Sequence, residues 1–336
     1  GHPTGDDLLR ALAQRLTEQM PRGDMVFRYG GDEFLILSEG YRAPEHLRLI
    51  GQFALLTLDM PLTVGPHELQ VRGCVGVAQY PRDAADASSL VRAADTAMYR
   101  AKSLGKNTSA VFEADMDHTA KRRVRIDGEL RRAVARNELH LQYQPIVDLI
   151  TGRMVGVEAL VRWNHPDLGM IAPAEFIPVA EDSGLIGEIG QWVLHTACAQ
   201  MHEWHSAGHV GLYVAVNVSE RQLKRGLVRQ LDEALVASGL DPSCIELDIT
   251  EQSLVDNIEA GIAQLKLLKE RGVKLSIDDF GTGFTSLNYV KRLPVDKLKI
   301  DMTFVKELPT SANDAAIATT IVSLAQGLNL KVVGEG

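Results

Sequence analysis

The chain has 336 residues, of which 45% are hydrophobic and 24% charged, the composition of an ordinary globular protein. Its 35 basic and 44 acidic side chains give a formal charge of −9, which argues against a nucleic-acid or membrane-surface binder. Three widely separated cysteines exclude a disulfide framework, and no apolar stretch is long enough to cross a bilayer, so we expect a cytoplasmic location.

The first part of the chain mixes helical and strand-like patterns. Apolar side chains recur at helical spacing in two stretches, 9–16 and 90–101. Two short apolar runs, 25–29 and 34–37, flank Gly30-Gly31 and predict a β-hairpin, and residues 69–80 predict a further strand. These patterns predict an α+β domain over residues 1–112.

A second domain is predicted after a stretch of mixed charge, 113–136, which we interpret as a linker helix. From residue 137 to 336, strand-like runs alternate with amphipathic helices, which predicts an α/β domain whose mainly parallel sheet is open or closed into a barrel. The strand-like runs cover residues 141–147, 154–160, 212–218, 244–249, 273–277, 297–300 and 331–333.

Polar side chains occupy what we predict to be the ends of the strands in this second domain. In a parallel barrel, the carboxyl ends of the strands converge on one face, where active sites form. We therefore expect five carboxylates, one amide and one lysine to meet there: Glu158, Asn217, Asp248, Asp278, Asp279, Lys299 and Glu335.

So many like charges repel one another strongly unless cations neutralise them. Ligand sets made only of oxygen suit Mg²⁺ or Mn²⁺, and adjacent Asp278 and Asp279 predict two ions, the usual arrangement for attack on a phosphodiester. Lys299 is then placed to hold the attacking water or a phosphoryl oxygen. An alternative from the same residues is a Mg²⁺-dependent enolising enzyme that uses Lys299 as its base.

Two glycine-containing segments adjoin acidic residues. Residues 279–285 begin at the second aspartate of the pair and predict a mobile lid or a phosphate cradle. In the first domain, Gly30-Gly31 precedes Asp32 and Glu33, which is compatible with a metal under phosphates or simply with a solvated hairpin turn.

At these motifs the chain resembles the tandem GGDEF–EAL proteins of bacterial cyclic di-GMP signalling. Residues 30–34 spell GGDEF and residues 158–160 spell EAL. Further family-like motifs follow in order: 143–147, 216–219, 248–251, 278–283 and 299–301. The resemblance covers nearly the whole chain, and it implies a palm-like α+β GGDEF domain followed by a TIM-barrel-like EAL domain.

The resemblance also implies an activity and roles for residues of the EAL domain. The implied reaction is hydrolysis of cyclic di-GMP to pGpG with two Mg²⁺ or Mn²⁺ ions per site. Its implied metal ligands are Glu158, Asn217, Asp248, Asp278, Asp279 and Glu335, and Lys299 acts on the attacking water. Gln144, Arg162 and Asp301 bind substrate, and Glu251 anchors a lid loop that couples homodimerisation to metal binding.

For the first domain, the resemblance implies a regulatory or GTP-binding role, or diguanylate cyclase activity in the full-length protein. Asp32 is the implied metal ligand there. The implied nucleotide-contacting residues are Asp6, Gly30, Gly31, Asp32, Glu33, Lys102 and Lys106. A non-catalytic receptor of cyclic di-GMP or GTP, signalling through partner contacts, is the alternative for the whole chain.

The chain departs from the family pattern at several points. Asp248 stands where a glutamate is usual, which shortens the carboxylate by one methylene. Pro21 stands where the product-inhibition motif has arginine. Motif segments expected before Gly1 and after Gly336 lead us to expect a fragment of a longer protein, whose missing N-terminal region provides any membrane anchor.

Overall fold

The computed structural model describes residues 2–21, 23–40, 43–65, 67–105, 107–255, 258–281, 287–308 and 310–335. The chain forms two compact units, Gly1–Arg125 and Ile126–Gly336. Their boundary falls within a helix, α4 (Ala114–Ala133), which lies in the segment predicted as a linker. Each unit has its own hydrophobic clusters.

The first unit combines helices with short strands. Its elements are α1 (His2–Gln19), β1 (Met25–Gly30), β2 (Glu33–Leu37), α2 (Pro44–Asp59), β3 (Leu62–Val64), β4 (His67–Leu69), β5 (Val75–Val77), α3 (Ala87–Leu104) and β6 (Ser109–Val111). Strands β1 and β2 pair antiparallel around Gly31, whose φ is +51°, so the predicted hairpin is confirmed. The single strand predicted over 69–80 is wrong, because only β4 and β5 are extended there and residues 70–74 lie outside both.

The predicted helical stripes of this unit face its core. Leu12 and Leu16 of α1 are buried against Leu62 and Val64 of β3. On α3, small alanines line the buried face, which lets the helix approach β5 closely. At the point of closest approach, Gly76 of β5 lies against the backbone of α3.

We expect Gly76→Ala to destabilise the first unit by about 1–3 kcal/mol, the usual cost of overpacking. An added Cβ would overlap the backbone of Ala94 and Met98, which cannot move aside as a flexible side chain would. Chemical unfolding of the full chain, followed by a probe in this unit, measures the loss. Gly5→Ala on α1, where a Cβ has open space, is the matched control and should not destabilise. Equal stability of the two variants would contradict the close approach.

The second unit is an α/β sheet covered by helices. After α4 come β7 (Leu139–Val147), β8 (Met154–His165), β9 (Gly169–Ile171), α5 (Pro173–Ser183), α6 (Ile186–Ser206), β10 (Tyr213–Val218), α7 (Glu220–Lys224), α8 (Leu227–Ser238) and β11 (Ile245–Thr250). They are followed by α9 (Gln252–Val255), α10 (Ile258–Lys269), β12 (Lys274–Phe280), α11 (Leu287–Val290), β13 (Lys297–Ile300), α12 (Met302–Val305), α13 (Ala312–Gly327) and β14 (Lys331–Gly334).

The strands of this unit form one curled sheet of the TIM-barrel-like kind. The order is β14-β13-β12-β11-β10-β8-β7, with β9 paired to β8. Neighbours from β8 through β14 run parallel, whereas β7 and β9 are each antiparallel to β8. The mainly parallel sheet expected from the sequence is therefore present, with an antiparallel hairpin, β7–β8, at one end of the strand order.

Alternation along these strands separates an apolar face from a polar one. On β11 and β12, Leu247, Ile249, Leu275 and Ile277 are almost completely buried in the main hydrophobic cluster. The intervening side chains, such as Asp248, therefore face the concave side of the sheet. Across the residues that the structure describes, no helix combines enough length with enough apolar character to cross a bilayer.

Candidate active site

The seven polar residues predicted at the strand ends lie on six neighbouring segments of the second unit. Asn217, Asp248 and Lys299 fall within β10, β11 and β13, Asp278 and Asp279 fall within β12, and Glu335 directly follows β14. Glu158 differs from expectation, because it is not at a strand end but in the middle of the 12-residue β8. Strand β8 runs on past the site because β7 and β9 continue to pair with its second half.

Strand register brings these side chains together. Asn217 is directly paired with Asp248, and Glu158 is paired with Ala215, two residues before Asn217. The Asn217 amide Nδ2 donates a hydrogen bond to Glu158 Oε1 at 2.7 Å. The amide nitrogen therefore orients one carboxylate of the site, and the amide oxygen of Asn217 is an additional candidate ligand for a metal ion.

The centre of the site is the ammonium of Lys299, whose side chain is only 2% exposed. Four carboxylates surround it, from β8, β11, β12 and the residue that follows β14. Its Nζ lies 2.5 Å from Glu335 Oε1, 3.0 Å from Asp248 Oδ2, 3.1 Å from Asp278 Oδ1 and 3.5 Å from Glu158 Oε2. One positive charge thus faces four acidic groups, an excess of negative charge that favours binding of further cations.

Burial and charge shift the pKa values of these groups. Burial opposes the charge of Lys299, but the surrounding carboxylates of Asp248, Asp278 and Glu158 outweigh it, so the pKa of Lys299 is raised. Burial, aided by Glu246, raises the pKa of Asp248 to about 6 despite the opposing effect of Lys299. Lys299 is therefore positively charged at neutral pH. Asp248, which faces it, binds a proton more tightly than an ordinary aspartate does.

Two further carboxyl groups bind protons more tightly than usual. Burial raises the pKa of Asp279 to about 6, with added contributions from neighbouring Asp278 and from a hydrogen bond to Asp301. Burial raises the pKa of Glu335 to about 7, although Lys299 opposes that shift. These shifts mean that the free site retains protons that a bound cation would displace.

The aspartate pair forms the part of the site with the closest carboxylates. Carboxylate oxygens of Asp278, Asp279 and Glu335 all lie within 4.8 Å of one another. Asp279 has a φ of +54°, a strained conformation for a non-glycine residue, and its backbone N–H donates to Asp278 Oδ1 at 3.0 Å. The strained backbone turns two adjacent carboxylates of β12 toward the same region.

The donor set fits divalent cations that prefer oxygen. Among the described residues, four carboxylates lie within 3.5 Å of the Lys299 ammonium, and Asn217 adds an amide oxygen beside Glu158. Neither histidine nor cysteine belongs to the cluster of described residues, so the set suits a divalent cation that prefers oxygen ligands rather than a zinc thiolate site. The excess of acidic charge and the raised pKa values are the observations that support this fit.

Asp301, predicted to bind substrate, lies beside the metal-binding candidates. Its carboxylate accepts hydrogen bonds from the backbone N–H of Thr303, at 2.9 Å, and from the Thr303 hydroxyl, and so caps α12. A hydrogen bond also joins it to the carboxyl of Asp279. This position is suited to orienting Asp279, a role that sequence reasoning did not identify.

Gln144 and Arg162, also predicted to bind substrate, lie on the β7–β8 hairpin. Gln144 is paired directly with Glu158 across the two strands. The Arg162 guanidinium donates from Nε to Gln142 Oε1 at 2.9 Å and from Nη1 to the Val161 carbonyl at 2.9 Å. Gln142 was missed from sequence, although its same-face spacing from Gln144 on a strand was the available signal.

Glu251, the predicted loop anchor, directly follows β11 and is hydrogen-bonded to the start of the loop that follows β12. Its Oε2 accepts a hydrogen bond from the Gly281 backbone N–H at 3.3 Å, and its own N–H donates to the Asp278 carbonyl at 3.2 Å. These bonds connect the β11 and β12 ends beside the aspartate pair. The predicted lid from residue 282 onward lies outside the described residues.

Ser276 is a further residue of the site that sequence reasoning missed. Its hydroxyl donates a hydrogen bond to Asp248 Oδ1, while the other carboxylate oxygen of Asp248 faces Lys299. Ser276 precedes Asp278 by two residues, so the alternation along β12 could have identified it. Both oxygens of the shortened acid are therefore engaged.

The predicted nucleotide-contacting residues of the first unit are spread over separate elements. Asp6 lies on α1, Lys102 in the last turn of α3, and Gly30 and Glu33 border the hairpin turn that contains Gly31 and Asp32. Arg28 donates to the Gly31 carbonyl at 2.9 Å and stiffens that turn. Among the described acidic residues, the close carboxylate cluster does not include Asp32, and Lys106 lies outside the described residues.

We expect the affinity of the full chain for Mn²⁺ to rise at least about tenfold between about pH 5.5 and about pH 8. At the lower pH the raised pKa values keep Asp248, Asp279 and Glu335 largely protonated, and binding must displace those protons. Calorimetry in two buffers of different ionisation enthalpy measures both the affinity and the protons released. An affinity that does not change with pH would contradict this assignment.

Two known protein families match the chain. The family described as "EAL domain" matches residues 127–336, and the family described as "Diguanylate cyclase, GGDEF domain" matches residues 1–108. The first match contains every residue of the acidic cluster. The second contains the Gly-Gly hairpin.

Curated relatives match over the full length of the chain. It is 42% identical to the bifunctional diguanylate cyclase/cyclic di-GMP phosphodiesterase MucR of Pseudomonas aeruginosa, covering 49% of that protein. It is 39% identical to the cyclic di-GMP phosphodiesterase NbdA of the same species, covering 43% of it. The chain therefore spans about half the length of these relatives.

Solved structures resemble the chain over about two thirds of its length. The PaMucR phosphodiesterase in complex with c-di-GMP is 47% identical, with a TM-score of 0.61, covering 63% of this chain and 86% of that one. The EAL enzyme Bd1971, bound to cAMP and cyclic di-GMP, is 30% identical, with a TM-score of 0.61, covering 65% and 60%.

Proposed function

The chain belongs to the EAL domain family and has a GGDEF domain ahead of its EAL domain, and from this we propose that it hydrolyses cyclic di-GMP to pGpG. The observation that carries the proposal is the buried Lys299 ammonium within 3.5 Å of four carboxylates. Relatives named for this activity, and a related structure bound to c-di-GMP, support the choice of substrate.

The acidic cluster would hold two Mg²⁺ or Mn²⁺ ions. The proposed ligands are Glu158, Asn217, Asp248, Asp278, Asp279 and Glu335. When bound, such ions make a water molecule more acidic and neutralise the charge of the leaving oxygen. The protein keeps these ligands in place through strand register and through the hydrogen bonds of Asn217 and Ser276.

The remaining residues would bind and orient the reactants. Lys299 stays charged, so it donates hydrogen bonds to the attacking water or to a phosphoryl oxygen rather than removing a proton. Gln144, opposite Glu158, and Arg162, held by Gln142, would contact the dinucleotide. Glu251 would hold the base of the loop that follows β12, through its hydrogen bond with Gly281.

Incubation of the chain with cyclic di-GMP and Mg²⁺ or Mn²⁺ tests the proposal. We expect pGpG, detected by chromatography, and its formation should stop when EDTA is added. A preparation that binds Mn²⁺ and remains folded but forms no pGpG, while a known phosphodiesterase is active in the same buffer, would reject hydrolysis.

A second candidate is a receptor that binds cyclic di-GMP without cleaving it. It is favoured by one feature, the short Asp248 side chain, which is already engaged by Lys299 and Ser276. Tight binding by calorimetry in the absence of turnover would select this candidate. Asp248→Glu, which restores the usual length of this acid, should then produce turnover.

For the GGDEF domain we propose a regulatory, GTP-binding role, with cyclase activity in a longer protein as the alternative. The bifunctional name of one relative supports the cyclase alternative. Added GTP should change the phosphodiesterase rate of the chain, and an unchanged rate would remove the regulatory role. A cytoplasmic location and a homodimer formed through the EAL domain remain predictions.

A further inference from the structure

The carboxylates around Lys299 fall into two groups that differ in how close their oxygens lie. In the first group, oxygens of Asp278, Asp279 and Glu335 all lie within 4.8 Å of one another, close enough for one ion to contact all three. Among the residues that the structure describes, no other three acidic, histidine or cysteine side chains come that close. Asp248 faces Lys299 at 3.0 Å and stands outside this group.

The second group consists of Glu158, Asn217 and Asp248, on the neighbouring strands β8, β10 and β11. Asn217 is directly paired with Asp248 and donates a hydrogen bond to Glu158. The two acids of this group take part in no close set of three within the described part of the chain, so an ion held here has to draw its ligands together. Because ligands that are already gathered bind without such rearrangement, the first group is the better prepared of the two.

Asp248 is the member of the second group with the least freedom to approach an ion. A glutamate at this position would reach farther by one carbon–carbon bond, about 1.5 Å. One oxygen of Asp248 accepts a hydrogen bond from the Ser276 hydroxyl, and the other faces the Lys299 ammonium. The residue is 1% exposed, so its short side chain has little room to turn. An ion therefore competes with contacts that both oxygens already make.

We propose that the two cation positions fill in sequence and that Asp248 sets the affinity of the second. The tight position is formed by Asp278, Asp279 and Glu335, and it takes the first ion. The weak position is formed by the second group and is occupied only at higher concentrations of the cation. This inference rests on the two-ion site of the proposed function, and its test is metal binding, so it stands or fails separately from hydrolysis.

Titration of the metal-free full chain with Mn²⁺ at pH 8 tests the order of filling. The electron paramagnetic resonance signal of free Mn²⁺ gives the number of bound ions at each concentration. We expect two ions per chain with dissociation constants at least about tenfold apart, because changes around a metal ligand alter affinity by about 10–100-fold. Two ions of equal affinity would overturn the proposal, and so would a single ion in both the parent and Asp248→Glu.

Asp248→Glu separates this explanation from simple repulsion between two neighbouring ions. The longer side chain should tighten the weaker dissociation constant at least about tenfold and leave the tighter one within about threefold. Repulsion alone predicts two unequal constants that this change does not bring together, and that result would contradict the proposal. Asp7→Glu, the same change at an exposed position on α1, is the matched control and should alter neither constant.

Asp248→Asn keeps the length of the side chain and decides the question if Asp248→Glu does not fold. Removal of this charge should weaken binding of the second ion at least about tenfold and that of the first by no more than about threefold. Equal weakening of both ions would refute a specific role for Asp248 in the weak position. Thermal unfolding in EDTA identifies which variants are folded.

Steady-state kinetics with cyclic di-GMP connect the weak position with turnover. The Mn²⁺ concentration that gives half-maximal turnover should be at least about tenfold lower in Asp248→Glu than in the parent. The same concentration in both would contradict control of the rate by the weak position. If the parent forms no pGpG, the proposed hydrolysis fails, and the Mn²⁺ titrations still decide whether Asp248 makes the two positions unequal.

Discussion

Replacement of Glu158 by glutamine is expected to lower the turnover of cyclic di-GMP by at least about a hundredfold, more than the loss of a residue that merely supports a metal ligand. The change keeps the size of the side chain but removes a negative charge that lies 3.5 Å from Lys299 and accepts a hydrogen bond from Asn217. Calorimetry should also show weaker Mn²⁺ binding by the folded variant.

The stability of the protein should change little in Glu158→Gln. Lys299 retains three other carboxylate partners, and the glutamine oxygen still accepts the Asn217 hydrogen bond. Glu188→Gln, an exposed position on α6, is the matched control and should leave both turnover and Mn²⁺ affinity unchanged. Parental turnover by folded Glu158→Gln would exclude this carboxylate from the reaction.

Removal of the central ammonium should have the largest effect on stability. We expect Lys299→Met to lower the free energy of unfolding in EDTA by about 3–5 kcal/mol, the usual cost of removing one partner from a buried ion pair. The variant leaves the carboxylates of Asp248, Asp278 and Glu335 facing one another without a cation. Turnover should be lost as well, because no other lysine contacts these acids among the described residues.

Added metal distinguishes this explanation from simple loss of packing. Mn²⁺ can replace the missing positive charge, so it should raise the melting temperature of Lys299→Met more than that of the parent. Lys331→Met, an exposed lysine at the start of the neighbouring β14, should be as stable as the parent in EDTA. If Mn²⁺ stabilises Lys299→Met no more than the parent, the ammonium does not balance the charge of the site.

Local patterns in the sequence were sufficient to predict much of the second unit. Alternation of apolar side chains identified the strands, and the acids and the lysine between those apolar positions are forced onto the opposite face. Asn217, Asp248, Asp278 and Lys299 could therefore be grouped before any coordinates. Strand ends were less accurate, as Glu158 shows, because antiparallel pairing extends β8 beyond the parallel sheet.

Partnerships between side chains from distant strands could not be predicted in the same way. The hydrogen bond between Asp279 and Asp301 joins β12, where Asp279 has a φ of +54°, to the N-cap of α12. The Lys297–Glu246 pair joins β13 to β11, and β12 lies between these two strands. Neither the register nor the conformation that creates these contacts is encoded by the spacing of the residues that take part.

The amino-acid sequence alone thus determined the two domains' motifs, the alternation of helices and strands, and the kinds of side chain that face the inside of the sheet. These properties follow from residue types a few positions apart. The tertiary structure decided which acids surround Lys299, which of them have raised pKa values, and that Glu246 forms an ion pair with Lys297. Those properties depend on burial and on distances of a few ångströms between strands, because electrostatic energy changes steeply with both.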